Sequence, residues 1–102
     1  MNNVKLTIGD KEYSKLAPTI EDWLFNLDIS PKIEGKNLIA DPVAAKAAVD
    51  VVAEYLHIPG DEMDKADLLE TLEAYHTIQK NIVKAFIKAQ EVWGKNVDAP
   101  AS

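Results

Sequence analysis

The sequence predicts a mainly α fold in which an N-terminal β-hairpin packs on a three-helix domain with a long C-terminal helix, a helix-dominated α+β arrangement. Three observations predict it: residues 4–8 alternate apolar and polar side chains, apolar residues recur at helical spacing farther along, and residues 65–93 contain neither glycine nor proline. A chain of 102 residues has room for one hydrophobic core. We therefore expect one domain over residues 1–93 and a disordered, patternless tail over residues 94–102.

The hairpin is predicted by two short segments on either side of a turn signal. Residues 4–8 (VKLTI) have the period of a half-buried strand, Gly9-Asp10 is a typical turn dipeptide, and residues 11–16 form the second strand. A two-stranded sheet is only marginally stable in water. The face that carries Val4, Leu6 and Ile8 must therefore be covered by a helix or by a strand of another chain.

A first helix is predicted over residues 19–28. Thr19 can act as its N-cap, and two acidic residues follow in the first turn, where the helix dipole favours negative charge. Residues 29–40 contain Pro31 and Gly35 and show no sustained periodicity, so we expect a loop there.

A second helix begins at Asp41-Pro42, an N-cap followed by proline at the first helical position, and runs to about His57 before Pro59-Gly60. Apolar residues occupy most of its circumference, and the only polar positions within it form one narrow stripe: Lys46, Asp50 and Glu54. Such a helix is normally covered on several sides, and a small domain rarely surrounds one completely. The pattern predicts self-association through Val49 and Val52. A central helix in a compact bundle is the alternative.

The last helix is predicted over residues 65–93. We expect its core face to be formed by Leu68, Leu72, Tyr75, Ile82, Phe86 and Trp93. Further apolar residues widen the carboxyl half, where three lysines recur every fourth position. We predict that this half binds a partner helix through Ile78, Lys80, Val83, Lys84, Ile87, Lys88 and Val92. The alternative is a solvated lysine face over ordinary core residues.

The composition excludes several classes of function. There is no cysteine, which excludes disulfides, thiol nucleophiles and thiolate metal sites. The net charge is −6 and all eleven basic residues are lysine, so nucleic acid is not an expected ligand. Residues 41–76 are the acidic part, with two lysines and nine acidic residues. No apolar run approaches the ~20 residues of a membrane span, and we expect a soluble, cytoplasmic protein.

The sequence carries no recognisable catalytic or metal-binding motif. His57 and His76 are nineteen residues apart and belong to no ligand-spaced cluster, so structural roles at the end of one helix and on the polar side of another are expected. The acidic run Asp61, Glu62, Asp64 and Asp67 lacks the glycine and closing glutamate of a calcium loop, and these residues are interpreted as helix-start acids. The sequence thus predicts no enzyme, no metal and no cofactor.

One family resemblance covers residues 4–93. The opening Val4-Lys5-Leu6-Thr7-Ile8-Gly9-Asp10-Lys11-Glu12-Tyr13 resembles the hairpin of the small tail assembly chaperones of long-tailed (siphovirus-type) bacteriophages or prophages of Gram-positive bacteria. The order of the later elements is also similar: a helix, an apolar helix ending near residues 51–55, an acidic linker at residues 61–67 and a final helix.

This resemblance implies a non-enzymatic protein that binds the tape measure protein and helps to recruit tail tube protein. It would act in the cytoplasm of the infected or lysogenic host and would be absent from the mature virion. A homo-oligomer is expected as well, from the apolar second helix. In that family some copies are extended by frameshifting, and the segment after Gly94 would be a compatible junction. Two other functions stay open: a generic acidic protein–protein interaction domain, and an acidic regulator or inhibitor that imitates phosphate spacing.

Overall fold

A computed structural model describes residues 1–97, with side chains described as far as Val92. The elements in chain order are β1 (Val4–Ile8), β2 (Lys11–Lys15), α1 (Ile20–Ile29), α2 (Pro42–Leu56), α3 (Gly60–Met63) and α4 (Leu68–Val97), with a 3-10 turn at Ser30–Lys32. The predicted fold class is confirmed: a hairpin precedes three long helices, and the one-turn α3 is an addition. α4 is about 45 Å long and spans most of the 52 Å length of the molecule.

The hairpin is antiparallel and lies on α4. Leu6 pairs with Tyr13, and Gly9 takes the left-handed backbone conformation that the two-residue turn requires (φ 64°). The inward side chains Val4, Leu6 and Ile8 are at most 9% exposed. The prediction that this face needs a cover is confirmed, and the cover is α4 of the same chain, with α2 against β2.

Both predicted N-caps are confirmed. The Thr19 hydroxyl accepts a hydrogen bond from the Asp22 amide, and the Asp22 carboxylate accepts one from the Thr19 amide, which together form a capping box at the start of α1. The Asp41 carboxylate accepts hydrogen bonds from the amides of Val43 and Ala44 at the start of α2. α2 ends where His57 adopts a left-handed conformation (φ 57°).

α2 is the central helix of the domain, which corrects the expected self-association surface. It contacts α1, α4 and β2, and seven of its side chains are buried: Ala44, Ala47, Ala48, Val51, Val52, Tyr55 and Leu56. Val52 is 0% exposed and Val49 is partly buried against the same core. The prediction that Val52 forms a self-association surface is therefore wrong, because the domain itself covers that side of the helix.

The boundaries of the last helix differ from the prediction at both ends. α4 begins at Leu68 and not at Lys65, because the Asp67 carboxylate caps it by accepting a hydrogen bond from the Glu70 amide (2.9 Å). Of the predicted helix-start acids, Asp67 caps α4 and Asp61 and Glu62 lie in the first turn of the short α3, whereas Asp64 is at the end of α3. The helix continues through Gly94 to Val97, four residues into the expected tail, and residues 98–102 lie outside the described residues.

The core face of α4 is rotated from the predicted stripe. The buried positions are Thr71, Ala74, Ile78, Asn81 and Ile82. Of the expected core residues, Ile82 is buried and Tyr75 is partly buried, but Leu68 (73%), Leu72 (38%) and Phe86 (43%) are exposed. The side chain of Trp93 lies outside the described part. The hairpin and α2 cover a neighbouring side of the helix on which small and polar residues allow close approach.

A fully buried asparagine fastens the hairpin to α4. The Asn81 amide donates hydrogen bonds to the carbonyls of Asn2 (2.8 Å) and Leu16 (3.0 Å) and accepts one from the Asn2 amide (3.1 Å). The Tyr55 hydroxyl donates to the same Leu16 carbonyl (2.9 Å). One side chain of α4 therefore holds both open ends of the hairpin, and both hydrogen atoms of its NH2 group take part in hydrogen bonds.

Candidate partner-binding surface

The structure does not place the seven predicted partner-binding residues on one surface. Ile78 is 1% exposed and belongs to the core, so its assignment to a partner surface is wrong. Val83 (55% exposed) and Ile87 (49%) lie one helical turn apart and line a shallow groove with Lys80 and Lys84. Val92 is also exposed, but five helical positions place it about 140° around the helix from Ile87. Lys88 is exposed, one helical turn after Lys84.

α1 lies beside the carboxyl half of α4 and runs in the opposite direction. The side-chain amides of Asn26 and Gln79 exchange hydrogen bonds, the shorter one from Gln79 to Asn26 at 2.8 Å. Three residues earlier on α1 and seven later on α4, the rings of Trp23 and Phe86 meet edge to face with centroids 5.3 Å apart. These two contacts fix the antiparallel direction of the pair.

The sides of α1 and α4 that face away from the core carry exposed apolar side chains. On α1, Asp22 and Ile29 point to the core and Asn26 points to α4, which leaves Ile20, Leu24 and Leu27 on the outward side. These three are 72%, 53% and 54% exposed. We call the set Ile20, Leu24, Leu27, Val83 and Ile87 the outer surface.

A ridge of positive charge borders the outer surface. Lys80, Lys84 and Lys88 recur every fourth residue, and all three are exposed. Among the side chains that the structure describes, none of the three takes part in an ion pair; the four pairs found there lie on the hairpin, α1, α2 and α3. Their charge is therefore free to meet an acidic group from outside the described chain.

A second apolar groove, not predicted from the sequence, lies at the other end of the domain. It has a volume of about 270 Å³ and is lined by Leu38, Ile39, Ala45, Ala48, Val49, Leu68, Thr71, Leu72 and Tyr75. Ile39 on its rim is 96% exposed. Burial raises the pKa of the Tyr75 hydroxyl above its ordinary value. The groove lies between residues 38–39, α2 and α4. The sequence indicated Leu68, Leu72 and Tyr75 as apolar positions of α4 but not that residues 38–39 lie opposite them.

The polar side chains form structural pairs. The Lys15 ammonium lies 2.6 Å from the buried Asp22 carboxylate and 4.7 Å above the centre of the Tyr55 ring. The Tyr13 hydroxyl donates to Glu62 (2.7 Å), and this hydrogen bond is the main reason why the pKa of Tyr13 is raised. Within the described residues, histidine and acidic side chains nowhere gather in a group of three that could hold a metal ion.

The hydropathy of the helices within residues 1–97 is also informative. None of these helices combines the length and the apolar character that crossing a bilayer requires. α4 is long enough, but charged residues recur along it.

No protein-family model matches this chain, and neither the curated proteins nor the solved structures give a significant match to it.

Proposed function

We propose that this protein is a non-enzymatic tail assembly chaperone of a long-tailed bacteriophage or prophage, which binds the tape measure protein and helps to recruit tail tube protein. It would act in the cytoplasm of the infected or lysogenic bacterium and would not remain in the mature virion. The proposal is supported by the resemblance over residues 4–93 and by the outer surface of α1 and α4.

The outer surface is the observation that carries the proposal. Single exposed apolar residues are common on proteins, but here five of them, each about half exposed or more, lie on the sides of two neighbouring helices that face away from the core. A long amphipathic helix docks in such a place by laying its apolar face between two helices, with anchors at positions i, i+3, i+4 and i+7. A tape measure protein is expected to be long, helical and apolar on one face.

The positive charge beside the outer surface favours a partner helix with acidic residues on one side. Lys80, Lys84 and Lys88 run along one edge of α4 with no partner among the described side chains. A bound helix with acidic residues on one flank would place them opposite these lysines. Exposed ion pairs contribute little affinity, about 0.2–1 kcal/mol each. Their effect would therefore be on the direction of the bound helix and on the association rate.

The test is capture of a fragment of the tape measure protein encoded by the same phage, co-expressed with this chain. The double variant Val83→Lys/Ile87→Lys should lose capture, because two apolar anchors become charged. Both side chains are about half exposed, so helical circular dichroism and melting temperature should change little. Ile39→Lys is the matched control, since it makes the same chemical change at a position that is 96% exposed and away from the outer surface.

A second pair of changes tests whether α1 contributes. Leu24→Lys/Leu27→Lys should also reduce capture, because these side chains form the other half of the outer surface. Capture that is unchanged in both double variants, with folding intact, would show that the outer surface is not the binding site. Loss of capture in Ile39→Lys as well would show that any added lysine prevents binding and would remove the support for a specific surface.

A further inference from the structure

α4 carries an exposed apolar pattern that is nearly symmetric about position 78. Leu69, Leu72, Val83 and Ile87 are 66%, 38%, 55% and 49% exposed. With about 100° between successive residues, the four lie within a sector of about 60° on one side of the helix. Leu69 and Ile87 are each nine residues from position 78, and Leu72 and Val83 are six and five residues from it.

Two of the charges that flank this sector, Glu73 and Lys84, have opposite signs. Glu73 lies beside the first apolar pair and Lys84 beside the second, and position 78 is again close to their midpoint. Neither side chain takes part in an ion pair among the described residues. A helix that is acidic at one end of a stripe and basic at the other is complementary to itself only when the second copy runs in the opposite direction.

We propose that α4 pairs with α4 of a second copy of this chain in an antiparallel, two-fold symmetric dimer. Leu69 packs against Ile87 of the second copy, Leu72 packs against Val83 of the second copy, and Glu73 faces Lys84 of the second copy. Because the axis is two-fold, each contact occurs twice. His76 and Lys80 lie near the axis, where polar residues in a helical seam fix the register.

This dimer differs from the α2 association expected from the sequence, in which Val52, a buried residue, was to take part. The pairing itself is independent of the proposed function. Val83 and Ile87 belong to both surfaces, so a second copy and a tape measure helix compete for them; this consequence alone rests on the proposed function. The dimer would keep these apolar residues covered until the partner is made.

The first test reverses charges in the purified full-length protein and measures its mass by sedimentation across micromolar concentrations at low salt. Glu73→Lys and Lys84→Glu each replace two attractive pairs by two repulsive ones, so each should weaken dimerisation about tenfold. The double variant Glu73→Lys/Lys84→Glu restores opposite charges and should recover most of the loss. Val43→Lys on α2 is the control for an added lysine at an exposed apolar position (60%) outside the seam and the outer surface, and it should leave the dimer intact.

The second test uses the absence of cysteine from the chain. Leu69 and Ile87 are 18 residues and about 27 Å apart on one helix, so cysteines at both positions cannot bond within a chain. Leu69→Cys/Ile87→Cys should form a covalent dimer on mild oxidation, whereas each single variant should not. Single variants that cross-link with themselves would indicate a parallel pair and overturn the proposal. A wild-type monomer at every concentration, or a dimer indifferent to both charge reversals, would overturn it too.

Discussion

Replacing Asn81 by alanine should loosen the whole hairpin from α4. Asn81 is 0% exposed and forms three hydrogen bonds, two to Asn2 and one to the carbonyl of Leu16. No other side chain described here bridges both ends of the hairpin. Alanine removes all three bonds at once and leaves a small cavity between α4 and the start of β1.

The loss of unfolding free energy depends on whether the groups that Asn81 bonds can find other hydrogen-bond partners in the variant. The Leu16 carbonyl keeps the Tyr55 hydroxyl as a donor (2.9 Å), and Asn2 is exposed enough to recruit water. The loss is therefore close to the net value of three hydrogen bonds, at about 1 kcal/mol each, and not three full desolvation penalties. We expect Asn81→Ala to lower the free energy of unfolding by about 3 kcal/mol.

The assay is urea denaturation followed by circular dichroism and by tryptophan fluorescence. Tyr55→Phe alone should cost about 1 kcal/mol, because Asn81 still satisfies the Leu16 carbonyl. The double variant should cost more than the sum, because that carbonyl then has no donor left. An Asn81→Ala variant within about 0.5 kcal/mol of the wild type would refute the reasoning, as would strictly additive effects of the two changes.

Three further outcomes are expected. Asp22→Asn should lower the free energy of unfolding by about 3 kcal/mol, because it leaves Lys15 unpaired in a mostly buried site. Asp50→Asn, in a solvent-exposed ion pair of similar length, should lower it by less than about 0.5 kcal/mol. Equal losses in urea denaturation would contradict this. Asp67→Ala should cost about 1 kcal/mol as a lost N-cap and Asp61→Ala much less, measured by the same method; the reverse order would place the cap elsewhere. The pKa values of all three tyrosines are raised above the ordinary 10.0, through the hydrogen bond to Glu62 at Tyr13 and through burial at Tyr55 and Tyr75. The neutral tyrosines therefore contribute their full share of the folding stability below pH 10, and this share is lost as the pH rises through the pKa values of the folded protein. Tyrosinate absorbance should therefore appear at higher pH in the native protein than in urea, and coincident titrations would refute it.

The elements that were predictable from the sequence are those fixed by neighbouring residues. The turn at Gly9-Asp10 and the caps Thr19 and Asp41 depend on hydrogen bonds that span two or three positions, so the local sequence contains all the necessary information. The alternation in β1 likewise identifies its buried face, because a strand has only two faces.

The register of α4 was not predictable in the same way. The helix has two apolar sectors, and hydropathy favours the one with larger side chains, such as Leu68 and Leu72, which is exposed. The buried sector contains Thr71 and Asn81, which count as polar in any hydropathy pattern. Asn81 is stable in the core because its amide is hydrogen-bonded there to Asn2 and Leu16. These partners lie 79 and 65 positions away in the chain, so the local sequence does not reveal them. The assignment of Ile78 to the partner surface was wrong for the same reason.

The attachment of the hairpin to α4 has a consequence for the order of folding. The hydrogen bonds that join the first sixteen residues to α2 and α4 reach positions 55, 70 and 81, so they close loops of 39 to 79 residues. Closing such loops costs chain entropy before any buried contact offsets it, and this slows folding. α2, whose hydrogen bonds are local, can form without waiting for distant segments. The three apolar side chains of β1 are therefore synthesised before α4 and are covered only after α4 has formed.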